Sequence, residues 1–261
     1  MADSMPDAVS RRHFLAVAAA ATASAAFASR ATASTTHAVP NDHALSHDST
    51  RGTGGVVLFQ GDSVTDVGRN KASTKPNDLG GLGNGYPLLI ASEIMRVDAN
   101  TPWQFYNRGV SGNKVPDLDK RWDTDTLALK PDVLSLLIGV NDYWHTKSLG
   151  YTGTAADFET QLTALLARTR TALPSVRLVV LEPFVLKVGA VDDSWLPAFT
   201  ERQAIVARVA KAAKATFIGL QAPLTRAAQS TGPAHWAADG VHPTPAGHAF
   251  IAEQWRAAVK L

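Results

Sequence analysis

From Val56 to the carboxyl end, short unbroken apolar runs alternate with longer segments in which apolar residues recur at helical spacing. Nothing else in the chain constrains the fold as strongly. A strand buried on both faces needs a continuous apolar run, and a helix laid on a sheet needs only one apolar stripe, so this alternation implies β-α-β units around a parallel sheet. The runs predict strands over 56–60, 104–107, 132–138, 177–181 and 216–220. The third is the most apolar and is expected at the centre of the sheet. Helices are expected over 86–96, over 155–173 (Phe158, Leu162, Leu165, Leu166 and Leu173 at helical spacing) and around Ile205, Val206 and Val209. A terminal helix should start at Thr244 as N-cap with Pro245 in its first position. The expected product is a flavodoxin-like three-layer α/β/α sandwich with a five-stranded parallel sheet. Ligands of such sheets bind beyond the carboxyl ends of the strands.

The first 55 residues show no such pattern. Residues 1–33 read as a twin-arginine (Tat-type) export signal: Arg11 and Arg12 precede Phe14 and Leu15, then an alanine-dominated, acid-free stretch from Ala16 to Ala28, with small-x-small sites at Ala26 to Ala28 and Ala31 to Ala33. A plain amphipathic helix is the alternative. The stretch falls short of the roughly 20 strongly apolar residues of a membrane span, so no stable insertion is expected once the signal is removed. Residues 34–55, rich in Ser, Thr, His, Asp and Gly, read as a flexible leader, in which His43 and His47 are expected to be solvated. The protein is therefore expected to be secreted.

Residues 56–261 then form one domain. Its partners are narrowed by charge: 25 Lys and Arg against 23 Asp and Glu leave a net +2, too weak a field for nucleic acid and suited to a small or neutral molecule. No cysteine is present, so disulfides, thiolate nucleophiles and Cys-based zinc sites are excluded. A homo-oligomer stays open.

Four short motifs punctuate the domain. Gly61-Asp62-Ser63 follows the first strand, where glycine allows a sharp exit and the serine is presented at the sheet edge. Asn107-Arg108-Gly109-Val110-Ser111-Gly112-Asn113 follows the second, and Gly139-Val140-Asn141-Asp142 the third. Taken singly, each is an ordinary turn or helix cap. Asp239-Gly240-Val241-His242-Pro243 lies between the fifth strand and the terminal helix. Its three-residue spacing lets the carboxylate fold back on one ring nitrogen and leaves the other for Ser63, although a surface turn with an incidental histidine reads the same way. All four occur in order, each expected directly after a strand. His145, His235 and His248 match none of them and are expected to face solvent or to pack. No His-Glu-x-x-His metal motif occurs, and neither a metal nor another cofactor is expected.

In this order the four blocks resemble those of the GDSL/SGNH hydrolases. Further parallels, at Leu82-Gly83-Asn84-Gly85-Tyr86, Arg121-Trp122, Lys130-Pro131-Asp132 and Tyr143-Trp144, are similar to the bacterial acetylxylan-type esterases of that class. The resemblance implies an acyl-ester hydrolase without a cofactor: Ser63 as nucleophile, His242 as base, Asp239 orienting it, and an oxyanion hole made by the Ser63 amide, the Gly112 amide and the Asn141 side chain. It further implies acetylated sugars such as xylan or xylo-oligosaccharides as substrates. Trp144 and Tyr143 are the candidate walls around the acyl group, with core packing the alternative for Trp144 and Trp236. A lipase, lysophospholipase, thioesterase or acyltransferase on the same site, or a carbohydrate-binding module without catalysis, are the competing readings.

Overall fold

The structure, a computed structural model, describes residues 54–261. The expected export signal and most of the expected leader lie outside the described residues. Five parallel strands form one sheet: β1 Val56–Gly61, β2 Gln104–Asn107, β3 Val133–Leu137, β4 Arg177–Leu181 and β5 Thr216–Ile218, in the spatial order β2-β1-β3-β4-β5. The most apolar run, β3, is the central strand and is buried along its whole length. The order reverses direction between β1 and β3, the kind of switch point beside which ligands of doubly wound sheets bind.

Side-chain alternation along each strand sends residues to two cores. On one face Val57, Phe59 and Phe105 pack with Tyr86 and Ile90 of α3 (Tyr86–Val97) and with Ile251 and Trp255 of the terminal helix Pro245–Ala258. On the other, Leu58, Leu134 and Leu136 pack with Trp122 of Val115–Asp125, with Leu162, Leu165 and Leu166 of Ala155–Ala172, and with Ile205, Val206 and Val209 of Leu196–Ala212. Two of the buried indoles donate hydrogen bonds: Trp255 to Ser135 Oγ at 3.0 Å and Trp122 to Thr169 Oγ1 at 2.9 Å. Thr244 caps the terminal helix by accepting from the Gly247 N–H.

In chain order α1 is Ser63–Asp66, α2 Leu79–Leu82, α4 Val115–Asp125, α5 Val140–Ser148, α6 Ala155–Ala172, α7 Leu196–Ala212, α8 Gln221–Thr231 and α9 Pro245–Ala258. Three features depart from the sequence-based expectation. Helices α4, α5 and α8, and the single turns α1 and α2, are absent from that expectation. Strand β5 ends at Ile218 and not at Leu220, because the Glu182 carboxylate takes the N–H groups of Leu220 and Gln221 at 2.8 and 2.9 Å and turns the chain out of the sheet into α8. As a result the fourth motif does not directly follow a strand: α8 and a short 3₁₀ turn, Pro233–His235, intervene.

Candidate active site

Ser63 is the first residue of α1. Asp62 caps that turn by accepting from the Val64 N–H at 3.0 Å, which fixes the serine at the carboxyl edge of β1. Burial pushes the Asp62 carboxyl up to about 7, against the hydrogen bond from Val64. From the far end of the chain, His242 brings Nε2 to 2.9 Å from Ser63 Oγ, and its Nδ1 lies 2.6 Å from Asp239 Oδ2. The second oxygen, Asp239 Oδ1, accepts from the N–H groups of Val241 and His242 at 2.9 and 2.7 Å. Burial opposes the Asp239 charge, but the His242 ring and these two amides hold its carboxyl below the usual carboxylate range. A carboxylate at Asp239 selects the tautomer with hydrogen on Nδ1, leaving the Nε2 lone pair toward Ser63.

The Asp239 loop reaches the site by leaning on the segment after β4. Leu186 N–H donates to Gly240 O at 2.8 Å, and Ala190 N–H to Asp239 O at 2.9 Å. Gly240 sits at φ +87°, where a side chain would overlap the Leu186 and Val188 carbonyl oxygens, so both conformation and space demand glycine.

Gly112 and Asn141 arrive beside Ser63 in a cleft of about 370 Å³ that Trp144, His145, Ser111 and His242 help to line. Gly112 has φ +80°. Among the described residues, neither its N–H nor that of Ser63 donates to a protein acceptor. Asn141, almost wholly buried, gives one Nδ2 hydrogen to Asn113 O at 3.2 Å, which sets its amide plane. The loops are tied together from below. Asp66 accepts from both the N–H and the Oγ of Ser111, at 2.9 and 2.8 Å, and Asp142 Oδ1 accepts from the Val115 N–H at 3.0 Å. The Asp142 carboxyl is raised to about 7, again by burial first. Asp142 therefore supports the loop.

Tyr143 is corrected. It is buried away from the cleft, with its ring 5.3 Å from that of Trp195 and its hydroxyl donating to Ser194 O at 3.2 Å. Neighbours on a helix are about 100° apart, so with Trp144 on the cleft side Tyr143 must point elsewhere. Trp144 lines the cleft, its ring 5.8 Å from the His242 ring. Trp236 packs on Phe250 and lies outside the cleft. Of the unmatched histidines, His235 is exposed and His248 is buried against Tyr86, as expected of packing or solvent-facing residues. His145 was the one missed, because α5, which carries it into the cleft wall, was not foreseen. Among the described residues, no group of three or more His, Cys, Asp or Glu is arranged to hold a metal, and no helix is long and apolar enough to cross a membrane.

An aligned hydroxyl, imidazole and carboxylate beside two free backbone N–H groups can activate an oxygen nucleophile and receive a developing oxyanion. Comparison with known proteins agrees with this chemistry. An acetylxylan esterase from Geobacillus stearothermophilus is 31% identical over 205 residues, 77% of this chain and 92% of that one. A solved structure of an acetylxylan esterase from the same organism superposes with a TM-score of 0.73 at 29% identity, covering 80% and 96% of the two chains. Solved structures of that esterase include catalytic mutants. A Parabacteroides merdae protein described as GDSL-like superposes with a TM-score of 0.76 at 42% identity, over 78% of this chain and 94% of its own. Residues 59–250 match the model of the GDSL-like Lipase/Acylhydrolase family; the chain belongs to that family and is a carboxylic ester hydrolase.

Proposed function

We propose that this protein is a serine esterase that removes acetyl groups from sugars, by way of an acyl-enzyme on Ser63. The observation that carries the reading is the continuous hydrogen-bond chain from Ser63 Oγ through His242 to Asp239, 2.9 and 2.6 Å long in its two links. His242 Nε2 takes the proton as Ser63 Oγ attacks the ester carbonyl, and Asp239 stabilises the imidazolium that forms. The oxyanion is received by the amides of Ser63 and Gly112 and by the remaining Nδ2 hydrogen of Asn141. The imidazolium then protonates the departing alcohol. Water, activated by the same histidine, releases acetate and restores the serine.

The choice of acetyl esters of sugars is supported by the similarity to acetylxylan esterases and by the shape of the site, an open cleft with one indole as a wall. A sugar ring can lie against such an indole, whereas a long acyl chain would need an extended apolar groove, gaining about 0.8 kcal/mol per buried CH₂. The test is a series of acetyl, butyryl and octanoyl nitrophenyl esters beside acetylated xylo-oligosaccharides. Efficiency should fall steeply from acetyl to octanoyl, and acetate should be released from the sugar. Rates that rise with chain length would instead establish a lipase-like enzyme. We further propose export through the twin-arginine route, on the strength of Arg11 and Arg12 and the acid-free stretch behind them. Replacing both arginines with lysine should retain the protein in the cell, and unchanged secretion would reject that route.

A further inference from the structure

The three oxyanion donors account for the carbonyl oxygen of an acetyl ester, and an acetyl group has no other hydrogen-bonding atom. Yet among the described residues the cleft also presents a polar side chain that no protein group engages. His145, half-buried on α5, lines it next to Trp144, and its Cε1 is the nearest atom, at 3.9 Å, to the place where a Cβ on Gly112 would stand. The other polar groups of that wall are engaged: Ser111 Oγ donates to Asp66 at 2.8 Å and Ser148 Oγ to Trp144 O at 3.1 Å. Among the described residues, neither ring nitrogen of His145 has a hydrogen-bond partner. Burial, then the Lys114 ammonium, lower its pKa from the usual histidine value, so near neutral pH the ring is uncharged and carries one donor and one acceptor.

We infer that His145 is a specificity-determining residue that hydrogen-bonds hydroxyl groups of the alcohol portion of the substrate, selecting polyol and sugar acetates over acetates of simple alcohols. A neutral imidazole matches a hydroxyl in either sense, since each is both donor and acceptor. With the carbonyl already accounted for, only the alcohol portion can supply such a group. Departure of that portion from the His242 side places it near Trp144, the neighbour of His145 on α5. The inference rests on the esterase mechanism above but not on the alcohol being a sugar.

The test compares kcat/KM for glycerol monoacetate and propyl acetate, esters of similar size that differ in hydroxyl content, in wild type, His145→Phe, His145→Ala and His145→Gln. Wild type should favour the hydroxylated ester. The preference should fall about 10-fold in the Phe and Ala variants, the worth of one hydrogen bond to a neutral group, and should recover in part with Gln. The ratio of the two esters cancels general damage to the site, and two truncating variants of different size guard against a folding defect in either. A wild-type ratio near one, or a ratio that survives both truncations, overturns the inference. An acetylated methyl xyloside, assayed alongside, separates the two readings: if wild type ignores it while the glycerol ester ratio still depends on His145, the sugar assignment fails and the hydroxyl contact stands.

Discussion

His248 should make the stability of this protein acid-sensitive. It is 5% exposed, accepts the Tyr86 N–H on Nδ1 at 3.3 Å, and stacks on the Tyr86 ring. Burial, followed by the proximity of His242, lowers its pKa from 6.5 to about 4. A proton on Nδ1 would also abolish the acceptor that Tyr86 uses. With the folded-state value depressed, the unfolded chain binds the proton first as pH falls. The contribution is therefore intact above the unfolded pKa near 6.5 and is lost progressively until pH falls through about 4. At 1.36 kcal/mol per unit, the loss is roughly 2 kcal/mol by pH 5 and 3 kcal/mol by pH 4. His248→Asn keeps an acceptor near the Nδ1 position and cannot titrate. Urea unfolding of both proteins at pH 7, 6, 5 and 4 would measure this, since every other titrating group is shared and cancels in the difference. The variant should be weaker at pH 7 by about 1 kcal/mol for lost packing, then close that gap and overtake wild type on acidification. Curves that stay parallel from pH 7 to pH 4 would refute the argument.

Three other outcomes are expected. Ser63→Ala should fold normally and lose nearly all ester hydrolysis, and a fluorophosphonate should label wild type at Ser63 but not this variant; an active, folded Ser63→Ala protein rejects the nucleophile. Asn141→Ala should lower kcat by about 10²- to 10³-fold with little change in KM, as removal of one oxyanion donor does, and a change confined to KM would count against that role. Asp142→Asn keeps the oxygen that accepts from Val115 and removes a carboxyl whose folded pKa is raised to about 7. The favourable term of that acid is fully present below its unfolded pKa and fades as pH rises through about 7, so the variant should gain on wild type between pH 4 and pH 8 in urea titrations, and a constant difference would contradict it.

Much of this architecture can be read from local chemistry. Strands β2 and β4 lie where Gln104–Asn107 and Arg177–Leu181 place them, and the Thr244-Pro245 start of α9 is a local capping signal. Helix α4 hides because Val115, Leu118 and Trp122 are its only buried residues, set among acidic and basic ones. Helix α8 buries only Leu224. Missing α8 led to the expectation that the Asp239 motif follows a strand directly, when its position depends on long-range contacts with Leu186 and Ala190 that no local pattern encodes. The motifs carry Ser63, Gly112, Asn141, Asp239 and His242 without tertiary information. Which of Tyr143 and Trp144 faces the cleft, and that His145 does, depends on the phase of a helix whose existence the composition conceals.

The hydrogen bond between Ser63 and His242 joins residues 179 positions apart. That separation sets an order in time. Chain synthesis at roughly 5–20 residues per second puts about ten to forty seconds between the appearance of the hydroxyl and that of its imidazole partner. Throughout that interval the growing polypeptide holds an alcohol no more reactive than any other serine. On the proposed mechanism, hydrolytic competence waits for Asp239 and His242 and for α9, which packs over Phe59 and Tyr86. A chain cut short before Asp239 lacks both the base and the carboxylate and, on the same mechanism, should be silent toward esters.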